Sequence, residues 1–309
     1  MKTEFTVSAE LKALWTVELS LLEKLKEICA KWNLTYYASD GTLLGAIRHK
    51  GFIPWDDDMD FYLPWPDYRK LMEVAPRECQ YPYCFQGIYS EPNAMAVSSR
   101  LRRSDTTGFT RWERENAGPG YDLGIFIDVF PLFFLPETAE ERTDQKQKVM
   151  HLWRCIHGHD ALLRLRRGEN VSEQYESFIP EYLKLCSARN LTRVDDPDIV
   201  WLKEEYLEAC AWGLDHAREV GTTSYRCHLS SMIWDAAWFA RSIELPFENT
   251  TISCPAGYEK ILEREYGDWR TPVRTGADHE MFVADTKTPW KQFLESAEAK
   301  RACRTETSE

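Results

Sequence analysis

Within five residues the chain carries four carboxylates, Asp56, Asp57, Asp58 and Asp60. They are set among Trp55, Met59, Phe61, Tyr62 and Leu63. The apolar members of this run need a core, whereas acids this close repel one another unless something cationic lies between them. In an extended segment alternate side chains share a face. Asp58 and Asp60 then point the same way, and Asp56 can join them. The pattern predicts a strand that holds its acids against a core, with Mg2+, or Mn2+ in its place, as the cofactor. Such hard cations take carboxylate oxygens and bring phosphate oxygens with them.

The flanking sequence supplies the rest of an α+β fold. Leu11, Leu14, Trp15, Leu21, Leu22, Leu25, Ile28, Cys29 and Trp32 recur at helical spacing, with Ser8 placed to cap the helix and Asn33 to end it. Residues 35–38 read as a short buried strand. Asp40, Gly41 and Thr42 read as a turn before a short helix over 43–48. Pro64 and Pro66 are expected to close the acidic strand, with a helix from Asp67 to about Val74. Residues 84–86 and 94–98 are short strand candidates, and 118–120 a loop. Residues 124–130 form the strongest strand pattern, expected to stop at Pro131.

From Glu137 to about Leu214 the pattern is helical and charged, looser near 190–198. Short strands return over 225–255, and a helix opens near Tyr258 and ends at Gly267. The last dozen residues read as frayed. Three regions are expected: 1–136 as the catalytic core, 137–224 as a helical region, and 225–309 as a mixed part completing the substrate site.

The charge narrows the function. With 38 Lys and Arg against 50 Asp and Glu, the net charge is −12. That excess argues against nucleic acid as a partner, because counterion release needs surplus basic groups. No apolar run reaches the length of a transmembrane helix. The amino-terminal residues do not read as a signal peptide. Nine scattered cysteines without a Cys-x-x-Cys motif read as reduced thiols. The expected location is cytoplasmic, peripheral to the inner face of a membrane.

Three cation sites compete for the acidic run. A calcium EF-hand fails, because Phe61 stands where the loop needs Gly and prolines break it. A metal-dependent glycosyltransferase using Asp58-Met59-Asp60 is the rival enzyme. The third is a polymerase-β-like nucleotidyltransferase site, which needs a small-residue turn at a helix start, two alternating acids and a third acid on a neighbouring strand. Gly41 and Thr42, then Asp58 and Asp60, then Asp128 supply these parts. The turn offers backbone N–H groups to phosphate, and the acids hold metal across a reacting phosphoryl group. Asp128 is a lone charge in an apolar strand, so a partner is expected. Arg48, His49, Lys50 and Arg100 are candidates for the donor phosphates, and Asp40, Asp56 and Asp57 for the surrounding shell.

Residues 37–60 as a whole, YASDGTLLGAIRHKGFIPWDDDMD, resemble the signature of the LicD family, which includes bacterial phosphocholine transferases and is related to the fukutin-related proteins. Residues 126–132, and the patches Pro255-Ala256-Gly257-Tyr258 and Tyr266-Gly267-Asp268-Trp269, resemble its later motifs. The resemblance implies a polymerase-β-like nucleotidyltransferase core, a small mixed sheet flanked by helices, with a helical insertion. It implies a Mg2+-dependent phosphotransferase that moves a phospho-substituent, commonly phosphocholine, from a CDP-activated donor to a hydroxyl of a glycan or glycolipid, releasing CMP. By position, Asp58 and Asp60 would be metal ligands and Asp128 the third acid, as ligand or base. A non-catalytic nucleotide- or glycan-binding relative is the remaining alternative.

Overall fold

The computed structural model describes residues 6–91, 97–117, 121–212, 217–222, 232–273, 281 and 283–296. The first helix, α1 (Ala9–Trp32), begins where Ser8 Oγ accepts the Leu11 N–H at 3.1 Å. It ends at Asn33 in a left-handed conformation, φ 53°. Next come β1 (Tyr37–Ala38), α2 (Asp40–His49), β2 (Asp60–Pro64) and α3 (Trp65–Glu78). The chain continues through β3 (Tyr83–Gln86), β4 (Ser99–Arg103), β5 (Thr107–Phe109), α4 (Arg111–Asn116) and the ten-residue β6 (Ile125–Phe134). Helices α5 (Ala139–Arg166), α6 (Glu173–Glu176), α7 (Ile179–Ala188) and α8 (Val200–Cys210) follow. The remaining elements are β7 (Glu219–Thr222), β8 (Ile233–Asp235), the hairpin β9 (Ser242–Phe247) and β10 (Thr250–Pro255), α9 (Tyr258–Tyr266), β11 (Val283–Asp285) and α10 (Trp290–Glu295).

The fold is α+β, built on a mixed sheet in the order β1-β2-β6-β4-β3, with β7 and then β8 continuing from β6. Only β2 and β6 pair in parallel; the other ladders of this sheet are antiparallel. Helices α1 and α3 cover one face. Tyr68 of α3 shares a 2.8 Å hydrogen bond with Ser99, Trp65 of the same helix meets Phe133 at a tilt with ring centres 5.1 Å apart, and Ser20 of α1 accepts from Arg103. Phe61, Leu63, Leu101, Ile127 and Val129 are buried beneath them. Alternation sends Asp60, Tyr62, Arg100, Arg102, Phe126 and Asp128 to the opposite face.

Several boundaries differ from the sequence expectation. The strongest strand does not stop at Pro131 but runs on to Phe134. Asp128 N–H donates to Met59 O on the β2 side. By alternation the Pro131 nitrogen faces the other edge, between the end of the β4 ladder at Val129 and the start of the β7 ladder at Leu132. A missing N–H there breaks no ladder bond.

The expected turn at Asp40-Gly41-Thr42 is already the first turn of α2. Strand β2 begins at Asp60, so Asp58 lies just ahead of it, though the Met59 carbonyl extends the ladder by one bond. Helix α3 starts at Trp65, since Pro66 fits a first turn where no N–H is needed. Arg100 and Arg102 sit within β4 rather than after a strand. The expected features at 94–96, at 118–120 and in the last dozen residues lie outside the described residues. Cys29, Cys79, Cys84, Cys155, Cys186, Cys210 and Cys254 are free thiols. No described helix is long and apolar enough to cross a membrane.

Helices α5 to α8 pack on one another between the two strands β6 and β7, which pair directly. Gly158 allows the closest crossing. A Cβ there would lie 2.5 Å from Phe178 O, immediately before α7. Alanine normally gains about 1 kcal/mol over glycine inside a helix. At this position we expect the reverse, a net cost of about 1–2 kcal/mol from overpacking. Urea denaturation of Gly158→Ala measures the sign.

Candidate active site

The parallel register sets Asp60 directly beside Asp128, and neighbouring strands are about 4.8 Å apart. Two of the three expected acids therefore share one sheet face. Asp60 is fixed at both ends of its peptide. Its N–H donates to Thr42 Oγ1 at 2.9 Å, and its carbonyl accepts the Ser39 N–H at 3.0 Å. Thr42 thus ties the first turn of α2 to the first residue of β2.

Asp128 has the partner that an isolated charge in an apolar strand requires. Arg100, its register neighbour on β4, donates from Nε to Oδ1 at 2.7 Å and from Nη2 to Oδ2 at 3.3 Å. Its third nitrogen, Nη1, lies 2.7 Å from Glu113 Oε1. Arg102, fully buried, donates to Gln86, to Glu113 and to the carbonyls of Gly108 (3.1 Å) and Gly124 (2.7 Å). Phe126 lies under both guanidinium groups, its ring centre 3.8 Å from Arg100 Cζ and 4.6 Å from Arg102 Cζ.

Glu113 also closes the capping box of α4 with Thr110. Burial alone would raise its carboxyl, but Arg102 and Arg100 beside it outweigh that and hold it below the usual range. Arg100 is pushed up: burial opposes the charged form, and Asp128 and Glu113 overcome it. The expected phosphate role of Arg100 thus meets a side chain already engaged with two carboxylates.

The acids before β2 form a compact turn. Asp56, Asp57 and Asp58 each present an oxygen within 4.8 Å of the others, a group that can hold a metal ion. Gly41 permits this, because a Cβ there would stand 2.7 Å from Asp56 Oδ2. Two elements hold the turn from outside. Trp15 of α1 donates its indole N–H to Asp56 O at 2.8 Å and stacks on Phe52 at 4.7 Å. At the tip of the β9–β10 hairpin, Glu248 accepts the Phe52 N–H and donates its own N–H to Lys50 O. Neither Trp15 nor Glu248 is marked by the motif; each lies far along the chain from it.

A third residue missed in the sequence is Glu18. It is fully buried, and among the described residues neither carboxylate oxygen has a hydrogen-bond donor. Burial pushes its carboxyl well above the ordinary range, and Asp58, Asp57 and Asp56, in that order, push it the same way. A signal was present: position 18 falls on the apolar stripe of α1 between Leu14, Trp15 and Leu21, Leu22.

Gly41 and Thr42 open α2 and Arg48, His49 and Lys50 close it, about 10 Å apart along the axis at 1.5 Å per residue. Arg48 donates to Trp269 O at 3.0 Å and to His49 Nε2 at 2.9 Å. His49 Nε2 accepts that bond, and burial and then Arg48 lower the His49 pKa. Lys50 is exposed in the left-handed cap of the helix.

Asp40 accepts the Tyr62 hydroxyl at 2.8 Å. Nearby, Glu265 of α9 keeps both carboxylate oxygens buried, and the Trp234 indole faces it without reaching hydrogen-bonding geometry. Burial, and secondarily Asp40, push the Glu265 carboxyl up to about 9. The folded chain therefore keeps this proton through a range in which the unfolded chain releases it. Stability contributed by the neutral acid is full below the ordinary carboxylate range and declines as pH rises toward 9. We expect Glu265→Gln to flatten the fall in melting temperature between about pH 6 and pH 9. Melting curves across that range check it.

Residues 33–151 match the family LicD/FKTN/FKRP, nucleotidyltransferase domain. A 65-residue stretch is 42% identical to the lipopolysaccharide cholinephosphotransferase LicD of Haemophilus influenzae, covering 21% of this chain and 24% of that protein. Stretches of 68 residues are 41% and 40% identical to uncharacterized proteins of Rickettsia prowazekii and Rickettsia typhi. Each covers 21% of this chain, with 26% and 22% of those proteins. The chain thus spans about a quarter of the length of the curated relatives it matches. The stretch that matches the LicD/FKTN/FKRP nucleotidyltransferase domain, residues 33–151, carries β1 through β6 and the acidic segment before β2.

Proposed function

We propose that this protein is a Mg2+-dependent phosphotransferase that moves a phospho-substituent, phosphocholine, from a CDP-activated donor to a hydroxyl of a cell-surface glycan precursor and releases CMP. The observation that carries the reading is the register of Asp60 beside Asp128 on parallel strands, with Asp58 two residues earlier and the start of α2 bonded to Asp60 through Thr42. The donor set suits the ion: carboxylate oxygens are what Mg2+ and Mn2+ take. Partial likeness to a cholinephosphotransferase favours choline as the group transferred.

In this reading the core is polymerase-β-like, with α5–α8 inserted between β6 and β7. Asp58 and Asp60 would hold the cation, with Asp128 as a third ligand or as the base; an ion there would offset charge on the transferred phosphoryl group. Asp40, Asp56 and Asp57 surround them. Gly41 and Thr42 offer the backbone N–H groups of the first turn of α2 to a donor phosphate. Arg48, His49 and Lys50, at the far end of that helix, bind a more distant part of the donor.

Arg100 holds Asp128 at a fixed angle by its two-point contact and offsets its charge. Asp128 then stands ready to take the proton of an acceptor hydroxyl approaching the same sheet face. The acceptor is a glycan or glycolipid that presents this hydroxyl.

A panel of CDP-alcohols and nucleotide-sugars, incubated with Mg2+ and scored for released nucleotide, tests the proposal. We expect CMP from CDP-choline, reduced about a hundredfold or more in Asp60→Asn and Asp128→Asn, with circular dichroism unchanged. A nucleoside diphosphate released from a nucleotide-sugar would make the chain a glycosyltransferase instead. Turnover in neither case would leave a binding protein.

A further inference from the structure

We infer that Glu18 completes a divalent-cation seat with Asp56, Asp57 and Asp58, on the α1 side of the sheet and distinct from the Asp60–Asp128 face. The inference deepens the metal reading of the acidic segment and rests on it. Three observations support it. The Asp56, Asp57 and Asp58 oxygens gather within 4.8 Å of one another, as ligand atoms around one ion would. Glu18, fully buried, meets no donor at either oxygen, and the charges that press on it most are those same three carboxylates. Trp15, one turn earlier on the same helix, bonds to the Asp56 carbonyl and so fixes the distance between helix and turn.

A carboxylate without a donor, buried beside three others as Glu18 is, is strongly disfavoured, whereas an ion among them offsets the charge of all four. Asp57 places this seat: it is buried, as Met59 and Phe61 are, and lies beside Leu14 of α1, while Asp60 points to the opposite sheet face. A route in is present. Asp57 lines an open groove of 630 Å3, shared with Leu14, Trp55, Asp285 and Lys287. Asp58, between the two faces, is common to this seat and to the one proposed for transfer.

Titration of the metal-free, nucleotide-free protein with Mn2+, followed by electron paramagnetic resonance of the free ion, tests the inference. Wild type is expected to bind Mn2+ and to melt at a higher temperature with it. Glu18→Gln, which keeps the side-chain shape, is expected to bind at least tenfold more weakly and to lose the Mn2+-dependent shift, while melting no lower than wild type in chelator. Asp57→Asn, at the groove, is expected to weaken binding similarly and gives a second reading if Glu18→Gln does not fold. Wild-type affinity in either variant overturns the inference, as does a wild-type chain that binds no Mn2+. Because no nucleotide is present, the result is separate from donor chemistry. Mn2+ binding through Glu18 without CMP release leaves the seat standing and removes the CDP-donor reading. CMP release with unchanged Mn2+ binding in Glu18→Gln does the opposite.

Discussion

Pairing β2 with β6 in parallel puts the Asp60 and Asp128 carboxylates side by side on one sheet face, and the neighbouring strands and helices are arranged around that charge. At a separation near 5 Å and an effective dielectric of 20, two such charges repel by about 3 kcal/mol. The fold answers on the β4 side with Arg100, which grips Asp128 at two points. Arg100 in turn needs Glu113, and Glu113 needs Arg102, whose remaining nitrogens are taken up by Gln86 and by two carbonyls. A chain of ion pairs and hydrogen bonds therefore runs from that face into the interior. Its members sit on β3, β4, α4 and β6, so removing one partner leaves the others buried and uncompensated, which is costlier than losing a surface pair.

The same face explains the use of small and hydroxylic residues at the start of α2. Thr42 meets the Asp60 N–H, and Gly41 leaves room for Asp56. Together they set the distance between the helix start and the acids, and a replacement at either position would move both. The tip of the β9–β10 hairpin and Trp15 then hold the connecting loop from outside. The loop is positioned by three separate parts of the chain, which is how a segment without regular structure can keep its carboxylates gathered.

Much of this was legible in the sequence because it is local. The stripe of α1, its Ser8 cap, the alternation around Asp60 and the end of α9 at Gly267 follow from spacing and turn chemistry within a few residues. What was misread depended on partners distant along the chain. Pro131 reads as a strand stop until one knows that its missing N–H falls between two ladders. Arg100 reads as a free cation until β4 is seen to lie beside β6, where Asp128 and Glu113 occupy it. Arg48 reads as positive charge a few residues before the acids, and spacing alone could not give its bond to Trp269 O from the last turn of α2.

Glu18 shows where the two kinds of information meet. A carboxylate at a core position of an amphipathic helix breaks the local pattern, and such breaks are tolerated where function or compensation supplies a reason. The helix alone offers no compensation: its stripe is apolar, and no donor reaches Glu18. Nor does the family match reach it, for that begins at residue 33. Its surroundings become intelligible only when α1 is laid against the acidic turn, with Trp15 bonded to Asp56 one turn away. The helix that precedes the matched domain then has two tasks, covering the hydrophobic face of the sheet and bringing a fourth carboxylate to the edge of the site.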